Sequence, residues 1–348
     1  MKATIGVDVG ATTISGGLVT PAGDVLHSVQ VPTRGIGPDS VVERLLDVVD
    51  DLLKGAGTHG VSMDGIGIGV AGAVDPEQGT MLPHEGNALP ELARRPLRED
   101  IGRVTGLPVF VDNDANALAL AERTYGVARG AHSLVLFAIG THVGGGVIIG
   151  DALVRGCRGY AGEFHNLPIN FDGPVVAPHG RGCLGQYVGG QAIAAEAQQQ
   201  VEAGAGATLL ELAGGASSKI TSELVYQAAA AGDSVAKVIV DRACDALAAG
   251  IGFVINGLNP EVVVVTGGVA RSLVALQEDL QRRAAGYAMA SALASTRVHV
   301  VPGDKRQTAR GGAALVHYEL ERAKRAGRVK RDHPMSRELP AHPGAAGG

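Results

Sequence analysis

The sequence predicts an α/β protein built from two related halves that face each other across a cleft. Two observations carry this. Residues 3–31 read as strand, Gly/Thr loop, strand, turn and strand, and residues 133–154 repeat that order. Apolar strands also hand over to a helix or a glycine turn through acidic or small residues, at Asp112-Asn113-Asp114 and at Thr266-Gly267-Gly268. Open α/β sheets place their ligand chemistry at such strand ends.

In the first half, residues 3–9 alternate as a strand and Gly10-Ala11-Thr12-Thr13 turns. Residues 14–19 form a second strand, and residues 25–31 a third after the turn Pro21-Ala22-Gly23-Asp24. Asp39-Ser40 with Glu43 opens a helix through a capping box, and Val42, Leu45, Leu46, Val49, Leu52 and Leu53 share one face of it. Residues 64–70 give a strand ending in Ala71-Gly72, and residues 79–106 a polar, proline-containing loop with a short helix. A strand over 107–111 leads into the acidic turn, and residues 115–123 are strong helix formers.

In the second half, strands over 133–139 and 147–149 flank Gly140-Thr141-His142-Val143-Gly144-Gly145-Gly146. Helices follow at 189–203 and 234–256, then a buried strand at 261–266 and a final helix over 311–324. Residues 1–117 are expected to form an N-terminal domain, rejoined by a C-terminal helix at 308–324, and residues 118–307 a C-terminal domain. Residues 325–348 mix charge, proline and glycine and are expected to be disordered.

Composition narrows the function classes. The 348 residues suffice for two domains with a substantial core, and the 52 glycines imply many tight loops. A net charge of −5 without a basic block in the folded part implies no nucleic-acid partner. The cysteines Cys157, Cys183 and Cys244 form no disulfide framework and suit a reducing compartment. No signal-peptide layout opens the chain, and no apolar run of about 18 residues predicts a membrane span. The expected location is the cytoplasm.

The Asp112–Asp114 turn has two readings, as a helix cap or as an acceptor for a hydroxyl proton. Asp8-x-Gly10-Ala11-Thr12-Thr13 and the loop at 140–146 are each readable as a hairpin turn. Together, and with the turn at Gly267-Gly268, they read as loops gripping a nucleotide: glycine lets amides approach an anion, and threonine adds a hydroxyl donor. Asp8 is placed to hold Mg²⁺ through water. Neither a Walker A motif nor a dinucleotide fingerprint is present.

Those loops, with Gly162-Glu163-Phe164, Gly182-Cys183-Leu184 and residues 260–268, resemble the ROK family over residues 3–320. That family holds bacterial sugar kinases and sugar-responsive repressors on the actin/hexokinase-like (ribonuclease H-like) fold, with the nucleotide/sugar cleft between its two domains. The resemblance implies ATP and Mg²⁺ as cofactors and Asp114 as the base that takes the proton of a sugar's primary hydroxyl. It implies Asn113, Asp114 and Glu163, with Asn87, as sugar contacts. It further implies Asp8, Gly10, Ala11, Thr12, Thr13, Gly140, Thr141 and Gly144 as the phosphate loops, and Gly267 and Gly268 as adenosine contacts.

The departures are specific. The family's zinc-ligand histidine falls on Asn166, only Cys183 of its cysteine motif remains, and its sugar-binding glutamate is Gly185. No zinc is expected; His165, His179 and Cys183 are the candidates for a rearranged site. His142 replaces a glycine of the second phosphate loop and is read either as a phosphate contact or as pointing outward. The expected activity is ATP-dependent phosphorylation of a C6-type hydroxyl on a hexose-like substrate, an amino sugar such as kanosamine or a C7-cyclitol rather than glucose. The alternatives are an ordinary glucokinase and a catalytically weak sugar-binding regulator. The first strand starts at Ala3, which leaves no room for a repressor's winged helix-turn-helix, and the chain is too short for a chaperone or filament of this fold. A small-molecule partner is expected; a homodimer is left open.

Overall fold

The computed structural model describes residues 1–34, 40–83, 89–178 and 180–332. Its first sheet holds β1 (Lys2–Val9), β2 (Thr13–Val19), β3 (Val25–Pro32), β4 (Ser62–Val70) and β5 (Val109–Asn113), in the order β3-β2-β1-β4-β5. Its second holds β6 (Leu134–Ile139), β7 (Val143–Ile149), β8 (Ala152–Leu153), β9 (Val262–Thr266) and β10 (Arg297–Val300), in the order β8-β7-β6-β9-β10. In both, the first three strands form an antiparallel meander and the last two join in parallel. The repeat read from the sequence is thus a repeat of topology. Strands such as β9, where Val262, Val263, Val264 and Val265 are fully buried, carry each core; burying one such side chain contributes about 1.5–3 kcal/mol.

Helices cover both sheets: α1 (Ser40–His59), α2 (Leu97–Thr105), α3 (Asp114–Tyr125), α4 (Gly190–Glu202), α5 (Ser222–Ala230), α6 (Ser234–Leu258) and α7 (Lys305–Asp332). α6 begins where Asp233 accepts from the Val235 and Ala236 amides at 3.0 and 2.9 Å. It ends at Asn259 in the left-handed region. The helices α5 and Gln277–Ala284 and the strand β10 were not anticipated; Gln277–Ala284 is mostly charged and offers little apolar period.

Two expectations about chain organisation need correcting. The final helix starts at Lys305 rather than 311 and runs through Asp332, so residues 325–332 are helical rather than part of a disordered tail. Residues 333–348 lie outside the described residues. The early start has a cause: the Asp304 carboxylate accepts from the Arg306 amide at 2.9 Å, while Gln307 Oε1 accepts from the Asp304 amide at 3.2 Å, a reciprocal cap. The domain boundary expected at residue 117 falls inside α3, which is continuous. The small residues of α3 let it lie against both halves: a Cβ on Gly146 of β7 would sit 2.6 Å from the Ala115 oxygen, and one on Gly311 of α7 would sit 3.1 Å from the Ala117 carbonyl carbon. α7 in turn lies on the first sheet so closely that a Cβ on Gly6 would overlap the Ala309 carbonyl, and one on Gly67 the Gly312 carbonyl.

Candidate active site

β1, β4 and β5 are parallel, so their carboxyl ends fall at one edge of the first sheet; β6 and β9 end likewise in the second. The two edges face one cleft of about 790 Å³, within the range of small-molecule sites. Gly10, Ala11, Gly72, Asn113 and Asp114 line it from the first half, and Gly140, Thr141, Gly144, Glu163 and Gly267 from the second.

The acidic turn divides its duties between neighbours. Asn113 is the N-cap of α3: its Oδ1 accepts from the Ala115 and Asn116 amides at 2.9 and 3.2 Å, and its Nδ2 donates to the Gly72 carbonyl at 3.1 Å. One Nδ2–H is left for a ligand. Asp114 opens the helix, accepts the Ala115 amide on Oδ1 at 2.8 Å and lines the cleft. Burial raises its carboxyl to about 6, with Glu163 adding repulsion and the backbone amides opposing. At the end of β1, Asp8 is raised to about 8, first by burial and then by the charge of Asp114. Two carboxylates that resist ionising together are a donor set that fits a hard divalent cation.

Glycines seat Glu163. A Cβ on Gly145 would overlap the Phe164 ring, and one on Gly162, at φ +88°, would overlap the Gly145 carbonyl. Phe164 packs on Phe137 with centroids 4.8 Å apart, which anchors the short 3-10 turn Phe164–Asn166 that follows Glu163. The second loop is fastened from behind, since Gly140 and Thr141 accept the Gly190 and Gln191 amides of α4 at 2.8 and 3.2 Å. Gly267, at φ +105°, passes over the Ile139 backbone. In the first loop, Gly10 donates to the Thr13 carbonyl at 3.0 Å and Thr33 Oγ1 donates to the Gly10 carbonyl at 2.7 Å. Asp8, Thr12, Thr13 and Gly268 are not part of this lining; Thr12 and Gly268 directly follow residues that are. Asn87 and His179 lie outside the described residues.

The sequence pattern of the ROK family matches residues 4–319. The chain belongs to the ROK family. The glucokinase of Thermotoga maritima is 30% identical over 313 residues, 90% of this chain and 96% of that protein. The ROK-family glucokinase of Streptomyces griseus, solved with glucose and AMPPNP, superposes with a TM-score of 0.73 at 28% identity over 90% of this chain and 98% of that one. A ROK-family transcriptional regulator homologous to E. coli MLC gives 0.78 at 25% identity, over 90% and 77%. These relatives assign the two-sheet architecture to the actin/hexokinase-like fold.

His165 forms part of one wall of this ROK chain's cleft. A Cβ on Gly185 would overlap the His165 ring, so the imidazole occupies the space a side chain at 185 would need. His165, Asn166 and His142 all line the cleft, and the two imidazoles meet edge to face with centroids 5.3 Å apart. His142 is therefore exposed toward the cleft rather than away from it. Cys183 is buried, its thiol raised by desolvation, and its Sγ donates to the Arg181 carbonyl at 3.6 Å. Among the described residues, no group of three or more His, Cys, Asp or Glu side chains is placed to hold a metal. His165, a candidate from the sequence as a metal ligand, stands here as part of the cleft wall; Arg155 behind the acidic turn carries no signal in the sequence until its neighbours are known.

Proposed function

We propose that the chain is an ATP- and Mg²⁺-dependent sugar kinase that phosphorylates the primary hydroxyl of a hexose-like substrate in the cytoplasm. The observation that carries this is the Asp114 carboxyl, lifted to about 6 at the cleft floor beside Glu163. A carboxyl at about 6 is mostly ionised at neutral pH yet more basic than an ordinary carboxylate, and it takes a hydroxyl proton on the oxygen that Ala115 leaves available. Glu163 and the remaining Nδ2–H of Asn113 hold the sugar ring. The backbone amides around Gly10–Thr13 and Gly140–Gly144 receive the phosphates, and Gly267-Gly268 receives the adenosine. Asp8 would hold Mg²⁺ through water, and the cation would supply charge neutralisation. Phosphoryl transfer needs little beyond such positioning and electrostatics. The glucose and AMPPNP bound by the Streptomyces griseus relative support this reading.

At the finer level, the proposed substrate is an amino sugar such as kanosamine or a C7-cyclitol rather than glucose. Asn166 in the lining and Gly185 beneath the His165 ring offer no carboxylate there, and a lost charge-assisted hydrogen bond to a ring hydroxyl costs about 1.5–3 kcal/mol. A second reading, ordinary glucokinase, is favoured by one observation: His165 already fills the space above Gly185. Comparing kcat/KM with ATP for glucose, mannose, kanosamine and valiolone-type cyclitols decides between them. The highest value is expected for kanosamine or a cyclitol; glucose on top overturns the finer reading, and no turnover of any sugar overturns the kinase.

A further inference from the structure

Behind the acidic turn lies a buried ion triad that the chemistry above does not use. The side chain of Arg155, two residues after the short strand β8, is 11% exposed; those of Asp112 and of Glu319 in α7 are 2% and 14% exposed. The Arg155 Nε and Nη2 both reach Asp112 Oδ2 at 2.7 Å, and Nη2 reaches Glu319 Oε1 at 2.5 Å. The guanidinium also lies 5.6 Å over the Tyr318 ring, whose hydroxyl accepts the Leu153 amide at 2.9 Å. One cation from the second half is thereby held by the first sheet and by the helix that covers it.

The other oxygen of Asp112 is spent on the turn itself. Oδ1 accepts the Asn113 amide at 2.8 Å and the Asn116 Nδ2 at 2.9 Å, the residues that flank Asp114 on either side. The Arg155 carbonyl accepts the Ala161 amide at 3.2 Å and so closes the loop that leads to Glu163.

We propose that Arg155 is a positioning residue that sets the acidic turn bearing Asp114 in register with the loop bearing Glu163. This rests on the kinase reading. Without the guanidinium, Asp112 and Glu319 face each other as buried carboxylates, a state that neutralises or rearranges rather than persists. Rearrangement takes Asp112 Oδ1 away from the Asn113 amide and Asn116, and neutralisation weakens it as their acceptor, so the turn loosens. A displacement of about 1 Å at a reacting group costs up to roughly 100-fold in rate. Lysine is not an equivalent, because an ammonium is a point charge and lacks the planar fork that spans two carboxylates.

The test uses the full chain, ATP and the best sugar of the panel. Arg155→Lys keeps the charge so that the fold survives; Arg155→Met removes it. The expected result is a fall in kcat of roughly 10–100-fold with KM for ATP unchanged. Arg283→Met is the control. It breaks an ion network with Asp241, Asp245 and Asp279 outside the cleft, and should lower Tm while leaving kcat in place. An Arg155→Lys enzyme with full kcat overturns the positioning role alone, as does an Arg283→Met control whose kcat falls as far for the same drop in Tm. A wild-type chain that phosphorylates no sugar overturns the kinase reading and the positioning role together.

Discussion

At the residue scale, the two raised carboxyls give the site a pH signature. Both lie above the ordinary 3.8, at about 6 for Asp114 and about 8 for Asp8. The folded chain therefore holds more protons than the unfolded one across that interval. The stability these groups contribute is full below about pH 4 and is lost as pH rises through about 6 and then about 8. Tm of the metal-free protein measured against pH should fall more gently from pH 6 to 8 in Asp8→Asn than in wild type; parallel curves would contradict the assignment. Glu163→Gln removes a charge that holds Asp114 up, so the acid limb of its kcat/KM profile should move to lower pH. Asp114→Asn is expected to lose about 10²–10⁴-fold in kcat with nucleotide binding kept, checked by single-turnover assay and calorimetry. The place of Asp112–Asp114 between a strand and a helix was legible in the sequence, while Asp114 as the base was implied only by the family resemblance. The partition of labour was not legible, since Asn113 caps and Asp114 faces the cleft only once φ and ψ are set. At Gly185 the sequence shows only the lost side chain and leaves His165 and His179 as candidates to fill the gap; packing puts the His165 ring there.

At the element scale, α7 shows what periodicity leaves out. Its middle carries the apolar residues, Ala309, Ala313, Ala314, Leu315 and Val316, whereas Lys305-Arg306-Gln307 look like solvent-facing loop. Yet Asp304 and Gln307 spell a cap, and that first turn brings Ala309 onto β1. Glycines are a second such case: nothing in the sequence sets Gly6, Gly67 and Gly312 apart, yet they mark where helix backbone lies on strand backbone. Gly67→Ala should cost about 1–3 kcal/mol or more, because the obstacle is a carbonyl that cannot turn aside. Gly57→Ala in α1 meets nothing within 4 Å and should instead stabilise by about 0.4–1 kcal/mol. Urea unfolding of both variants measures the contrast, and equal effects would remove the packing argument.

At the scale of the whole molecule, the duplicated strand order was legible because each half repeats its loop chemistry, while the junction was not. α3 is joined in sequence to the first sheet but packs on β7 of the second and on α7, and small residues make that sharing feasible. Metal content is a property at this scale too: elemental analysis of the purified chain should find no stoichiometric zinc, and one zinc per chain would revive a site at His165, His179 and Cys183. The seating of α7 on Gly6 and Gly67 reaches back to the ribosome. Chains emerge N-terminus first, at about 5–20 residues per second, and early domains ordinarily fold before later ones are made. Here the first sheet is translated at the outset, and its glycine groove waits for residues 305–332 before it is covered. The second sheet, complete by residue 300, is ready earlier. A nascent chain arrested near residue 303 should therefore yield to protease in its first third and resist in its middle, an inverted order of maturation that a released full-length chain would no longer show.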